Sequence, residues 1–143
     1  MLKRLFLIVL LLGISSCHKT PALEQLQQRV DALEQAIETK QNDDAIDILS
    51  KDFRTGNGGD RKDARRMLLF YSLRNEKIHI LRTNTKAELD PTYQNQASVS
   101  CQVLVTGGQG LIPEHGRSFR ITSRWIFEDG DWYLDRLDWK PLL

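Results

Sequence analysis

Between Ala22 and Lys40 the apolar residues Leu23, Leu26, Val30, Leu33 and Ile37 recur alternately three and four positions apart. That spacing lays them along one face of an amphipathic helix, and Thr20-Pro21 supplies a start with proline in the first turn. The stripe lasts about two heptads, short of the three or four that would argue for a coiled coil. Asn42-Asp43-Asp44 caps a second short helix, with carboxylates at the positive end of its dipole. Its apolar face is Ala45, Ile46, Leu49 and, just beyond, Phe53. After the loop Gly56-Asn57-Gly58-Gly59, Asp60 caps a third helix and Asp63 stands three positions on, as in a capping box. Ala64, Met67, Leu68 and Tyr71 mark the face this helix is expected to bury. Arg61, Lys62, Arg65 and Arg66 crowd its early turns, as a solvated face or as a surface for anionic headgroups.

Beyond Asn75 the period changes from 3.6 to two. Lys77–Leu89 reads as a first strand closed by Asp90-Pro91. Ala97, Val99, Cys101, Val103 and Val105 alternate with Ser98, Ser100 and Gln102, a half-buried second strand. A hairpin loop runs from Gly107 to Gly116. Phe119, Ile121, Trp125 and Phe127 then line one face of a third strand, with Ser123 as the polar exception. Asp129-Gly130 is a two-residue hairpin turn. Trp132–Trp139 is the last strand, and Pro141 is expected to stop it. Three helices followed by a four-strand antiparallel meander make an α+β chain.

Residues 1–16 follow a different rule. Lys3-Arg4 precedes the apolar run from Leu5 to Leu12, and Ile14-Ser15-Ser16 leads straight into Cys17. Charge, short apolar core and small-residue cleavage zone form a secretory signal. The run is about half of the ~20 residues that cross a bilayer as a helix. The ending resembles the lipobox of bacterial lipoproteins, which implies cleavage before Cys17 and diacylation of that cysteine (palmitate among the chains) as residue one of the mature chain. His18 follows the cysteine where an aspartate would retain the protein. By resemblance to enterobacterial sorting this implies an outer-membrane lipoprotein facing the periplasm. The expected division is a signal peptide 1–16, a lipidated tether 17–21 and one domain 22–143.

Cleavage would leave 143 − 16 = 127 residues, the size of one domain. Removing Lys3 and Arg4 leaves 20 − 2 = 18 basic against 19 acidic side chains, so nothing points to nucleic acid. With Cys17 lipidated, Cys101 has no partner for an internal disulfide. His79 and His115 are too isolated to suggest zinc. Asp129, Asp131, Asp135 and Asp138 miss the calcium-loop spacing, and the glycines at 107, 108 and 110 lack the lysine and helix of a phosphate cradle. No metal or cofactor is implied.

The element order, and the ending Trp125-Ile126-Phe127-Glu128-Asp129-Gly130-Asp131-Trp132-Tyr133-Leu134, resemble the nuclear transport factor 2-like superfamily over about residues 22–140. The resemblance implies a cone: three N-terminal helices packed on a curved four-strand antiparallel sheet. SnoaL-like cyclases and ketosteroid-isomerase-like enzymes share that fold with noncatalytic binding modules, so fold does not fix function. The isomerase-like members use a first-helix tyrosine, and here no tyrosine precedes Tyr71. Asp52 stands roughly where a general base could lie, and whether His79 faces inward is ambiguous from the alternation. In such a cone Tyr71, Cys101, Ser123 and Trp125 are expected to line a pocket for a small apolar ligand, unless large side chains fill it. Arg120, Arg124, Tyr133, Asp135, Leu137 and Trp139 are expected on the outer sheet face. That composition suits a protein interface, and the superfamily often dimerises there. The leading expectation is a noncatalytic, lipid-anchored periplasmic domain that binds a small apolar ligand or a protein partner. The alternatives are an isomerase- or cyclase-like enzyme and an accessory subunit of an envelope assembly or secretion complex.

Overall fold

The computed structural model describes residues 21–108 and 115–142. The expected signal peptide, Cys17, most of the tether and the 109–114 part of the hairpin loop lie outside the described residues. The elements run α1 (Pro21–Glu38), α2 (Asn42–Asp47), β1 (Leu49–Thr55), α3 (Arg61–Arg74), β2 (Lys77–Leu89), β3 (Gln96–Gly108), β4 (His115–Glu128) and β5 (Asp131–Leu142). The helices pack on one face of a curved five-stranded mixed sheet of order β1-β5-β4-β3-β2.

The sheet has one strand more than expected. Leu49–Thr55 is β1, parallel to β5, and not the tail of the second helix. Leu49 and Phe53 are four apart, a spacing that serves one helix face and one strand face equally. Thr39 and Lys40 close α1, and the left-handed φ of 59° at Lys40 turns the chain into α2. The Asp60 capping box forms, with its carboxylate accepting from the Lys62 and Asp63 amides. Asp129 and Gly130 both take positive φ, the hairpin geometry expected of that pair.

Leu26 and Val30 of α1 meet Val99, Trp125, Trp132 and Leu134 of the sheet, with Ile46, Ile48 and Phe53 closing one end. Among the described residues this core joins α1, α2 and the sheet. Full burial of a side chain such as Leu26 or Phe53 contributes about 1.5–3 kcal/mol. Ser123, the polar exception, is satisfied inside the sheet: its hydroxyl donates to the Val99 carbonyl and accepts from the Trp125 indole, each at 3.0 Å.

One irregularity positions the candidate site. Trp125 pairs with Leu134 but Arg124 pairs with Arg136, leaving Asp135 as an extra residue on β5. This β-bulge reverses which parity faces inward. Trp132 and Leu134 point to the core before it. Beyond it Leu137 and Trp139 do, opposite Ser123 and Ile121. Leu137 and Trp139 were expected on the outer face, where unbroken alternation would put them, so this is a correction. β5 also continues past the expected stop. β1 reaches only Leu137, so Pro141 lies on a free edge where its missing N–H leaves no bond unmade.

Candidate functional site

Beneath α3 lies a cavity of about 480 Å³. Leu33 and Ile37 of α1 and Ala45 of α2 form one wall. Leu49, Phe53 and Thr55 of β1 with Leu134, Leu137 and Trp139 of β5 form the opposite one, and Ala64, Met67 and Leu68 of α3 make the roof. Asn57, Gly58, Gly59 and Asp63 complete the rim. Met67 and Trp139 line the cavity and are 54% and 37% exposed, so they flank its mouth.

The polar rim is closed on itself. The Thr55 hydroxyl donates to Asn57 Oδ1 at 2.5 Å and accepts from the Gly59 amide at 2.8 Å, while the Thr55 and Gly58 amides donate to the Gly59 and Thr55 carbonyls. Gly58 takes φ +89°, a conformation that favours glycine. Asp63 is the titratable residue in the lining. One of its oxygens accepts from the Asp60 amide at 3.0 Å and the other pairs with Arg66. The backbone hydrogen bond, with Arg66 assisting, holds its carboxyl below the usual range, so it stays ionised at neutral pH. The cavity thus offers mainly apolar surface, and the Thr55 hydroxyl and Asp63 carboxylate at its rim are already engaged.

Of the residues expected to line a pocket, none is in this lining. Trp125 and Cys101 are buried in the core, Ser123 is spent on its two hydrogen bonds, and Tyr71 is half-buried on α3, its carbonyl bonded by Asn75. The reason is lateral displacement. The cavity sits over the β1–β5 edge, and the expectation placed it over β3 and β4 because β1 was not foreseen. A skipped beat in the apolar positions of β5 (132, 134, then 137, 139) is the sequence signal that could have found Leu137 and Trp139.

On the outer face Arg124 and Asp135 pair with each other, and Ser50 also donates to Asp135 at 2.8 Å. Arg29 stands 5.2 Å from the ring centre of Tyr133 and bonds the Trp132 carbonyl. Arg120 is exposed. Arg136 and Asp138 form a further pair, so this face is more charged than the expected composition.

Asp52 is exposed on β1, outside the lining. His79 is exposed while Ile78 is buried, which resolves the ambiguous register of β2 with His79 outward. Arg82, on the inward parity, joins Asp31 and Glu34 of α1, its Nε lying 2.9 Å from Glu34. Burial pushes the Glu34 carboxyl up against the opposing pull of Arg82. Glu34 and Arg82 tie α1 to the sheet edge outside the cavity, and Glu38 accepts the edge amide of Ile80 beside them.

No family model and no curated protein matches the sequence. Solved structures do. A candidate scytalone dehydratase from Novosphingobium aromaticivorans superposes with a TM-score of 0.71 at 12% identity, over 85% of each chain. A candidate dehydratase of the NTF2-like family from Streptomyces avermitilis gives 0.72 at 16% identity, over 85% of this chain and 96% of that one. A hexachlorocyclohexane dehydrochlorinase from Novosphingobium barchaimii gives 0.67 at 16% identity, covering 85% and 87%. The chain has the nuclear transport factor 2-like fold. At these identities the likeness shows the fold alone.

Proposed function

We propose that this chain is a binding protein of the bacterial cell envelope, tethered by lipid on Cys17, that takes a small apolar ligand into the cavity beneath α3. The observation that carries the reading is the cavity itself. Its volume of about 480 Å³ falls within the roughly 300–1,000 Å³ of small-molecule sites. Its walls are aliphatic and aromatic, and the Thr55 hydroxyl and Asp63 carboxylate on its rim already hold hydrogen-bond partners. A ligand would therefore be selected by shape and apolar contact. Release of cavity surface from water supplies the driving force, at roughly 25 cal/mol per Å².

The tether rests on the signal pattern of residues 3–17, and the outer-membrane address on His18. Labelled palmitate appearing in the wild-type chain and not in Cys17→Ser tests this part of the reading. Native mass spectrometry of protein purified from its membranes tests the rest. The reading expects an added small-molecule mass that disappears in Leu137→Trp, where the indole fills the cavity. A bare polypeptide mass from freshly isolated wild type would contradict it.

Acid–base catalysis is the second reading, favoured by fold neighbours described as dehydratases and a dehydrochlorinase. It needs a group in the cavity able to accept and return a proton near neutral pH. Asp63, ionised and doubly engaged, is poorly placed for that, and the binding reading takes precedence.

A further inference from the structure

α3 presents two faces of opposite use. Ala64 and Leu68 turn toward the cavity. On the other side Lys62, Arg66, Leu69 and Leu73 succeed one another at steps of four, three and four, one stripe along the helix, with Phe70 beside it. The stripe is basic toward the N-terminal half and apolar toward the C-terminal half. Leu69, Phe70 and Leu73 are 52%, 59% and 77% exposed, and no residue of α3 is buried. The helix carries Arg61, Lys62, Arg65, Arg66 and Arg74 against Asp63 alone, in a chain whose net charge is only +1. Arg65 and Arg66 have carboxylate partners in Asp43 and Asp63. Lys62 and Arg74 form no ion pair among the described residues, and Arg74 lies 5.1 Å from the Phe70 ring centre.

We propose that this outer face of α3 docks on an anionic phospholipid bilayer, with Phe70 and Leu73 entering the headgroup–acyl boundary and Lys62 and Arg74 meeting phosphates. A bilayer interface supplies both halves of what the stripe lacks: apolar depth for the ring and the leucines, and anions a few ångströms higher for the cations. Long basic side chains reach outward while their stems stay on apolar surface. The same face of a second copy offers no unpaired carboxylate, since the one acid of α3, Asp63, is held by Arg66. Paired parallel across a two-fold axis, cations would meet cations. Paired antiparallel, they would be laid on leucine and phenylalanine without a carboxylate, at a desolvation cost. The proposed envelope placement says only where such a bilayer would be met, and the docking is read without the lipid anchor.

The test is sedimentation of residues 21–143, which contain every residue of the described core, with phosphatidylglycerol-rich vesicles and with pure phosphatidylcholine vesicles. The domain should bind the anionic vesicles at least about tenfold more tightly, and less so as salt is raised. Replacing Lys62 and Arg74 by serine should weaken binding about twenty-fivefold, at about fivefold per cation. Phe70→Ser with Leu73→Ser should weaken it by about tenfold or more. All four positions are exposed, so thermal stability should stay near wild type. Equal binding to both vesicle types, or binding to neither, overturns the proposal. So does a concentration-dependent dimer that Phe70→Ser with Leu73→Ser dissolves, because the face then belongs to a second copy. Because the domain used lacks Cys17, failure of palmitate labelling or of ligand capture leaves this result untouched.

Discussion

Trp125 and Trp132 are the two largest fully buried side chains, yet their indole nitrogens differ in circumstance. Trp125 Nε1 donates to Ser123, whereas Trp132 Nε1 is buried without a partner among the described residues. A buried donor without an acceptor costs about 1–3 kcal/mol. Trp125→Phe should therefore destabilise more than Trp132→Phe, by about 1–2 kcal/mol in urea unfolding; equal losses would refute that assignment. Burial also raises the Cys101 thiol, so it should react with a disulfide reagent only when the protein is unfolded. Glu34 titrates with a sign fixed by the direction of its shift. Its folded pKa lies above the ordinary 4.5, so the folded state holds the proton longer. The stability this group contributes is full below about 4.5 and lost as pH rises through the folded value. Glu34→Gln should flatten that part of the stability–pH curve, checked by urea midpoints across the mildly acidic range. An unchanged slope would contradict it. The inward alternation of β3 could be read directly from the sequence. The Glu34–Arg82 contact could not, because it joins two elements far apart in the chain.

At the scale of the element, the bulge at Asp135 and the loose seating of α3 decide where the cavity lies. Asp135 accepts from buried Ser50 and from Arg124, with only 13% of its side chain exposed. Asp135→Ala strands the Ser50 hydroxyl and should cost about 1–3 kcal/mol, with a matching loss of apolar probe binding if β5 slips by one residue. α3 has a sound cap and no buried side chain, the profile of a unit that opens locally before the whole domain does. Asp60→Ala should remove about 1 kcal/mol of cap stabilisation. Hydrogen exchange should then quicken across residues 61–74 and stay unchanged in β3 and β4. Helices α1 and α3, the four antiparallel strands and the Asp129-Gly130 turn were legible because each repeats a clear period or carries a specific turn pair. β1 was not. Its seven residues hold two inward apolar side chains at a spacing common to both periods, and its pairing is with a strand about 80 residues later. The bulge was hidden for a related reason, since one inserted residue exchanges two faces that each read as mixed.

For the whole molecule, the layers of helix and sheet were legible in the chain, while the place of the cavity within them was not. The cone-shaped fold was anticipated from element order, but the fifth strand places the cavity at the β1–β5 edge and not over the middle of the sheet. There the aromatic and aliphatic side chains of β5 face α3. Two exposed apolar features, the Met67–Trp139 mouth and the outer stripe of α3, then lie on either side of a single helix that has no buried residue. The central claim is that the space beneath this helix receives an apolar molecule, and Trp139 at the mouth makes it measurable. Titrating the domain with the apolar probe phenylnaphthylamine should give saturable probe fluorescence with energy transfer from tryptophan, weakened by Trp139→Ala and abolished by Leu137→Trp. Probe binding that is absent in wild type, or that persists at full strength in Leu137→Trp, would contradict the account.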